Sequence, residues 1–333
     1  METILVTGGA GFIGSHLVGE AIRRGFRVRI LDNLETGKIA YLAEALNIPT
    51  PEEKLPPRIR LTEACELLIG DIRDPETCAE ACAGASVVFH EAARRSVPRS
   101  IEDPIGTVDA NTTGTVHLLM AAKESGVRRV VYAISSSVYG DNPELPKREA
   151  QLPAPISPYA VSKLGGEHYC RVFSRLHGLP TISLRYFNVF GPRVDPSSQY
   201  AAVIPRFIAA ALTGDTVPVY GDGQQSRDFT FVDNAVAANF LAMDAPIGDG
   251  DVFNVSSGQS VTVLELIEAI GRTVGRRPRT VHTAPRLGDV RHSFADIGAA
   301  RARLGYEPLI GFEEGLRRTV RALEPAVGEP KHA

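Results

Sequence analysis

Tryptophan is missing from this sequence altogether, and cysteine and methionine are scarce: four and three in 333 residues. Cys65, Cys78, Cys82 and Cys170 are too few for a disulfide scaffold. Cys78 and Cys82 lie one helical turn apart in an Ala-rich stretch, but no histidine is near to complete a metal site. All four read as buried free thiols, and no metal is expected. No apolar run reaches the ~20 residues that cross a bilayer. The formal charge of −3 leaves no basic footprint for nucleic acid. The opening "METILVTGGAG" enters a strand at once, which leaves no room for a signal peptide. The expectation is a cytoplasmic protein with no nucleic-acid or membrane partner, long enough for a large core and more than one domain.

What is present is an alternation. "TILVTG", "RVRILD", "CELLIGDI", "SVVFHEAA" and "RRVVYAISS" are near-continuously apolar, as strands buried on both faces must be. Between them "GSHLVGEAIRRG", "ETCAEACAG" and "TVHLLMAAKESG" carry helical spacing. The pattern predicts an α/β fold with a doubly wound parallel (Rossmann) sheet. Residues 43–63, polar and Pro-rich, read as a surface insertion. Beyond about residue 180 the rhythm loosens. "PTISLRYFNVFG", "DFTFVDN" and "DVFNVSS" read as strands, and "IPRFIAAALTG", "VTVLELIEAIGRTVG" and "FEEGLRRTVRALE" as helices. The division expected is a dinucleotide-binding domain over 1–180, with sheet contributions from about 228–256, and a smaller, interleaved substrate domain over 181–325.

Two motifs carry chemistry. "VTGGAGFIG" follows the first strand and opens the first helix. Gly8, Gly11 and Gly14 permit a tight turn, close backbone approach to a pyrophosphate, and close helix–strand packing. The helix N-terminus then offers N–H groups to the phosphates. Asp32, at the end of the second strand and 18 residues past Gly14, can accept from both ribose hydroxyls of NAD and would repel the 2′-phosphate of NADP. Asp71, ending the third strand, is placed either to meet the adenine or to cap the next helix. The second motif is "ISPYAVSK". Tyr159 and Lys163 are i,i+4 on a helix begun by Ser157-Pro158. An ammonium near a phenol stabilises the phenolate. A phenol so shifted can take a proton from a sugar hydroxyl. A lone Y-x-x-x-K is more often a packed tyrosine and a solvated lysine; the upstream glycine turn changes that balance.

These motifs, with "LDNLETGK", "HEAA", "SVPRS", "NTTGT", "SSSVYG", "LRYFNVFGPR", "GDGQQSRDFTFVDN" and "GDVRHSFAD", fall in the order of one family across nearly the whole chain. The sequence resembles the extended short-chain dehydrogenases/reductases, and most of all the nucleotide-sugar 4-epimerases. Two departures stand out: Glu91 where an apolar residue is commoner, and a longer insertion after residue 42. The resemblance implies NAD as cofactor. It assigns Phe12, Ile13, Asn33, Thr36, Gly37, Ile72, Glu91, Ala92, Ala93, Arg95, Asn111 and Phe187 to the cofactor side, with Tyr159 and Lys163. Ser135 aligns with the catalytic Ser/Thr, and Ser136 and Ser137 follow it. The substrate side receives Ser96, Asn188, Val203, Val219, Tyr220, Arg227, Arg286 or Arg291, and Ser293. The arginines are implied to clamp the UDP diphosphate, a role that suits a planar, forked cation. A homodimer is implied through the helix after Asn111 and the one carrying Tyr159, both of which have apolar residues for more than one face.

The relatives share a first step, in which a tyrosinate takes the C4 hydroxyl proton as hydride leaves C4 for NAD. A 4,6-dehydratase then needs an Asp-Glu pair after its catalytic Thr, and a uronate decarboxylase needs a Glu at position 137. Here both positions are serine. C4 epimerisation of a UDP-sugar remains. Ser293 stands where enzymes restricted to plain hexoses carry a bulky Tyr, which implies room for a C2 N-acetyl group: UDP-GlcNAc/UDP-GalNAc as well as UDP-Glc/UDP-Gal. Two rivals stay open. A UDP-glucuronate 4-epimerase needs an arginine for the C6 carboxylate, and Arg94, Arg95 and Arg193 are candidates. A non-catalytic NAD-binding relative would typically have lost Tyr159 or Lys163.

Overall fold

The computed structural model describes residues 1–51, 55–194, 203–284 and 290–328. Its centre is an eight-stranded sheet. In chain order the strands are β1 (Thr3–Thr7), β2 (Arg27–Asp32), β3 (Arg58–Thr62), β4 (Cys65–Ile69), β5 (Val87–His90), β6 (Arg129–Ser135) and β7 (Thr181–Tyr186), followed by the short β8 (Val189–Phe190), β9 (Thr216–Tyr220), β10 (Ser226–Arg227) and β11 (Thr230–Phe231), then β12 (Asp249–Val255), β13 (Val261–Thr262), β14 (Arg279–Thr283) and β15 (His292–Ser293). The large sheet runs β12-β7-β6-β5-β1-β2-β4-β3, parallel except for β3 at its edge. Every residue of β5 and β7 is buried, because helices cover both faces; hence the unbroken apolar runs in the sequence. Chain direction across the sheet reverses between β1 and β5, and a crevice opens there at the carboxyl ends of the strands.

The helices are α1 (Phe12–Arg23), α2 (Ile39–Leu46), α3 (Pro75–Cys82), α4 (Val97–Glu102), α5 (Pro104–Val108), α6 (Gly114–Glu124), α7 (Pro158–His177), α8 (Val203–Thr213), α9 (Val232–Asp244), α10 (Val263–Val274), α11 (Gly298–Leu304) and α12 (Phe312–Gly328). The long α7 shows why the sequence folds as it does. The Ser157 hydroxyl accepts from Ala160 N at 3.2 Å, Pro158 occupies the first turn, and Gly178 at φ 65° closes the helix. Two apolar cores form: one on the large sheet, the other among α8, α10, α12 and the short strands. The four cysteines are buried and free, and burial pushes each thiol up to about 12.

Three sequence expectations need correction. The stretch 43–63 is not wholly a surface insertion. It contains the end of α2, and Arg58–Thr62 is the edge strand, pinned to β4 by Arg58–Glu66 at 2.8 Å; residues 52–54 lie outside the described residues. "DFTFVDN" gives only a two-residue strand before α9 begins at Val232. That helix is buried almost all round, so it lacks the one-sided pattern by which a surface helix is read. Finally, "PTISLRYFNVFG" is two strands. β7 extends the large sheet past residue 180, and the chain then turns at Asn188 (φ 34°) into β8, which pairs with β11 instead.

Candidate active site

The glycine turn joins β1 to α1. Gly8 sits at φ 69°, its N–H donates to Leu31 O at 2.8 Å, and its carbonyl accepts from Gly11 N at 3.0 Å. A Cβ at Gly14 would stand 2.1 Å from that same carbonyl oxygen, so only glycine fits. No side chain caps the N-terminus of α1, whose N–H groups therefore stay available to an anion. Asp32 does more than face the cavity. Its two carboxylate oxygens accept from Ala10 N at 2.9 Å and Leu34 N at 2.8 Å, tying the glycine turn to the loop after β2. Burial pushes its pKa up while those two backbone bonds oppose the rise. Asp71 is held down to about 2, chiefly by Arg73 and also by Asn33, whose side chain donates to it at 2.7 Å.

A cavity of about 590 Å³ opens above this turn. Gly8, Gly11, Phe12, Ile13, Gly14, Asp32, Asn33, Thr36, Gly37, Asp71, Ile72, Glu91, Ala92, Ala93, Arg95 and Ser96 all line it. Ser96 holds a strained φ of 109° and caps α4. Asn111 lies beneath: its side chain accepts from Arg94 N at 2.7 Å and donates to Arg94 O and Ser162 Oγ, anchoring the turn after β5 to α7. Phe187 does not reach the cavity. It is fully buried, packed against Tyr139. The glycine cradle, the uncapped helix end and the carboxylate at the tip of β2 together fit a dinucleotide.

Ser135, at the end of β6, lies near Tyr159, in the first turn of α7, and its hydroxyl favours the ionised phenol. Ser135 Oγ also accepts from Ser137 N at 3.2 Å. One expectation is reversed here: the phenol's pKa is raised, not lowered. Burial is the largest cause and Glu91 adds to it; the nearby Ser135 hydroxyl and the charge of Arg95 oppose. Lys163, one helical turn on, is not among the charges that shift the phenol. Its ammonium lies 4.6 Å from the centre of the Tyr132 ring, and burial brings its pKa down to about 8 against the pull of Glu91.

The substrate residues divide. Arg227 on β10 and Ser293 on β15 are register partners, so the structure brings them side by side. Arg291 turns outward to Asp222 at 2.7 Å, both exposed. Arg286 lies outside the described residues. Val219 is buried in the second core, Tyr220 and Val203 are half-buried, and the Asn188 side chain donates to Asp228 O at 2.9 Å. Of the arginines considered for a C6 carboxylate, Arg94 pairs with Asp103, and Arg193 with Glu44 and the Ser15 hydroxyl. Sequence reading missed Asp228. Its buried carboxylate accepts from the hydroxyls of Ser256 and Ser257, each at 2.7 Å, and from Ala295 N, fixing the segment that carries Ser293 to the end of β12. The only signal was its place beside Arg227.

Comparison with known proteins agrees with this geometry. Residues 4–256 match the model of the NAD dependent epimerase/dehydratase family. A UDP-glucose 4-epimerase of Mycolicibacterium smegmatis is 39% identical over 318 residues, covering 95% of this chain and 96% of that one. Among solved structures, the UDP-glucose 4-epimerase of Thermotoga maritima with UDP-glucose superposes with a TM-score of 0.88 at 36% identity, over 98% of this chain and 99% of that one. A UDP-N-acetylglucosamine 4-epimerase from Methanobrevibacter ruminantium, in complex with UDP-N-acetylmuramic acid, does so with 0.89 at 36% identity and the same coverage. No helix among the described residues is long and apolar enough to cross a membrane. The chain belongs to the NAD-dependent epimerase/dehydratase family, and its cofactor is NAD.

Proposed function

We propose that the protein inverts C4 of UDP-sugars, interconverting UDP-GlcNAc with UDP-GalNAc and also UDP-Glc with UDP-Gal. The observation that carries this is the placement of Ser135, at the end of β6, near Tyr159, at the start of α7, with Ser136 and Ser137 following where a dehydratase or decarboxylase needs carboxylates. NAD supplies the acceptor and donor for the C4 hydrogen. Tyr159 takes the C4 hydroxyl proton, with Ser135 orienting that hydroxyl, and later returns it. Arg227 holds the diphosphate while the 4-keto hexose turns, and Ser293 beside it leaves volume for an acetamido group. The uronate reading has lost ground, because of its three candidate arginines Arg94 lines the cavity but pairs with Asp103, and Arg193 pairs with Glu44. A non-catalytic role is disfavoured by the presence of all three of Ser135, Tyr159 and Lys163. The cofactor unit is the large sheet with its helices, and the UDP-sugar unit is the second core. Incubating the protein with UDP-Glc, UDP-GlcNAc and UDP-glucuronate and resolving the products tests the reading: C4 epimers of the first two support it, and turnover of the uronate alone refutes the substrate assignment.

The active unit is a homodimer in this proposal. Val161, Tyr169, Val172 and Leu176 of α7 and Met120 of α6 expose apolar side chains to solvent. Antiparallel packing of these helices against their copies would cover them. Light scattering at micromolar concentration should give twice the chain mass, and a monomeric mass rejects the pairing.

A further inference from the structure

Tyr139 ends the short helical turn Ser136–Tyr139 that follows Ser135, and it is fully buried. Its ring is held from the helix that carries Tyr159. The Arg185 guanidinium lies 4.8 Å from the ring centre. Glu167 of α7, about two helical turns beyond Tyr159, grips that guanidinium with two hydrogen bonds of 2.9 and 2.8 Å. Both partners of this pair are buried, so neither is free to swing into solvent.

The Tyr139 hydroxyl serves the other half of the site. Burial pushes its pKa up to about 12, so the phenol keeps the proton it donates. It donates to Asn254 Oδ1 at 2.7 Å. Asn254 is buried on β12, and its amide nitrogen donates to Lys147 O at 2.9 Å and Asp296 O at 3.1 Å. Carbonyls only accept, so the amide can sit only one way round. The two backbone segments are also paired directly: Lys147 N donates to Phe294 O at 2.8 Å, and Asp296 N to Lys147 O at 2.9 Å. Ser293 immediately precedes this pairing. A buried hydrogen-bond set that is matched in this way specifies one arrangement, whereas apolar packing alone tolerates sliding.

We propose that Tyr139 is a positioning residue for epimerisation: clamped through Arg185 and Glu167 to the helix of Tyr159, and through Asn254 to the segment of Ser293, it keeps the hexose in register with Ser135 and Tyr159. The inference rests on the proposed reading of Ser135, Tyr159 and Ser293. Epimerisation needs that register twice, once to oxidise C4 and once, after the 4-keto hexose has turned, to reduce it from the other face. A small displacement between the sugar and the catalytic groups costs rate at each step. It costs most at the second, where a misplaced keto sugar can dissociate instead of being reduced. The electrons then balance as one keto sugar released for each NAD left as NADH. Tyr139→Phe keeps the ring over Arg185 and deletes only the hydroxyl, so it breaks the tie to Asn254 alone.

The test uses the full-length, NAD-loaded protein with the UDP-sugar that the wild type epimerises, UDP-GlcNAc or UDP-Glc. Tyr139→Phe should keep KM within about twofold and lose about tenfold in kcat, the effect of one buried hydrogen-bonding group left unmatched. The number of turnovers completed per NADH trapped, read from NADH absorbance against product formed, should also fall about tenfold. Partial unfolding cannot mimic this ratio, because lost protein removes both quantities equally. In parallel, hydrogen exchange at the Lys147 and Asp296 amides should run about tenfold faster. A wild-type ratio in Tyr139→Phe overturns the proposal. Should that variant not fold, Asn254→Ser decides by the same ratio: a fall supports the proposal and a wild-type value overturns it. If the wild type epimerises no UDP-sugar, the proposed function fails and exchange alone decides. Faster exchange in Tyr139→Phe then supports the tie and unchanged exchange overturns it, so the two failures are separable.

Discussion

Replacing Gly14 by alanine puts a methyl group against the backbone of the cofactor turn. An ideal Cβ there lies 2.1 Å from Gly8 O and 2.8 Å from both Gly8 C and Gly9 Cα. Ordinary contacts are roughly 3.5 Å, so the turn or the first turn of α1 must move by roughly 1 Å. No neighbour can yield by rotating, because every close atom is main chain. Overpacking of this kind costs about 1–3 kcal/mol. The displaced backbone is also the surface that meets the pyrophosphate, so cofactor affinity should fall by about 5–150-fold if the strain is released on that side. The assay is the NAD released on denaturation per mole of protein, with circular dichroism and a melting curve to follow the fold. Gly311→Ala is the control, since a Cβ there meets nothing within 4 Å. The wild type should release NAD and not NADP, as Asp32 requires. A Gly14→Ala protein with wild-type NAD content and wild-type melting would refute the packing argument.

Other expectations concern the chemistry. Tyr159→Phe should keep fold and NAD but lose roughly two to four orders of magnitude in turnover, as expected for a missing general base; near-normal rates would contradict its role. Ser293→Tyr should slow the N-acetylated pair selectively, by about 5–150-fold if about 1–3 kcal/mol of crowding is felt at the transition state; equal slowing of both substrate pairs removes Ser293 as a gate.

The parts legible in the sequence were those dictated by short-range physics. Strands buried on both faces write continuous apolar runs, and the glycine turn writes its own spacing, so the cavity lining from Gly8 to Ser96 was largely readable. Elements whose pattern depends on distant partners were not. The edge strand Arg58–Thr62 is hidden in a Pro-rich stretch, and the start of α9 at Val232 is masked by the β-prone "FTFV" that leads into it. Electrostatics were least legible. The i,i+4 spacing of Tyr159 and Lys163 gave their helix, but the burial that raises the phenol and lowers the ammonium comes from tertiary packing, with α7 laid against β6, β7 and β12. Phe187 was placed on the cofactor side by resemblance, yet the chain turns at Asn188 and leaves its ring in the core.

The central claim is that C4 is inverted by removal and return of the same hydrogen within one site. UDP-GlcNAc deuterated at C4 tests it directly, with the product examined by mass spectrometry and proton NMR in ordinary water. The account predicts UDP-GalNAc that retains the deuterium at C4. A product with deuterium lost to solvent, or recovery of unchanged UDP-GlcNAc alone from NAD-loaded protein, would contradict it.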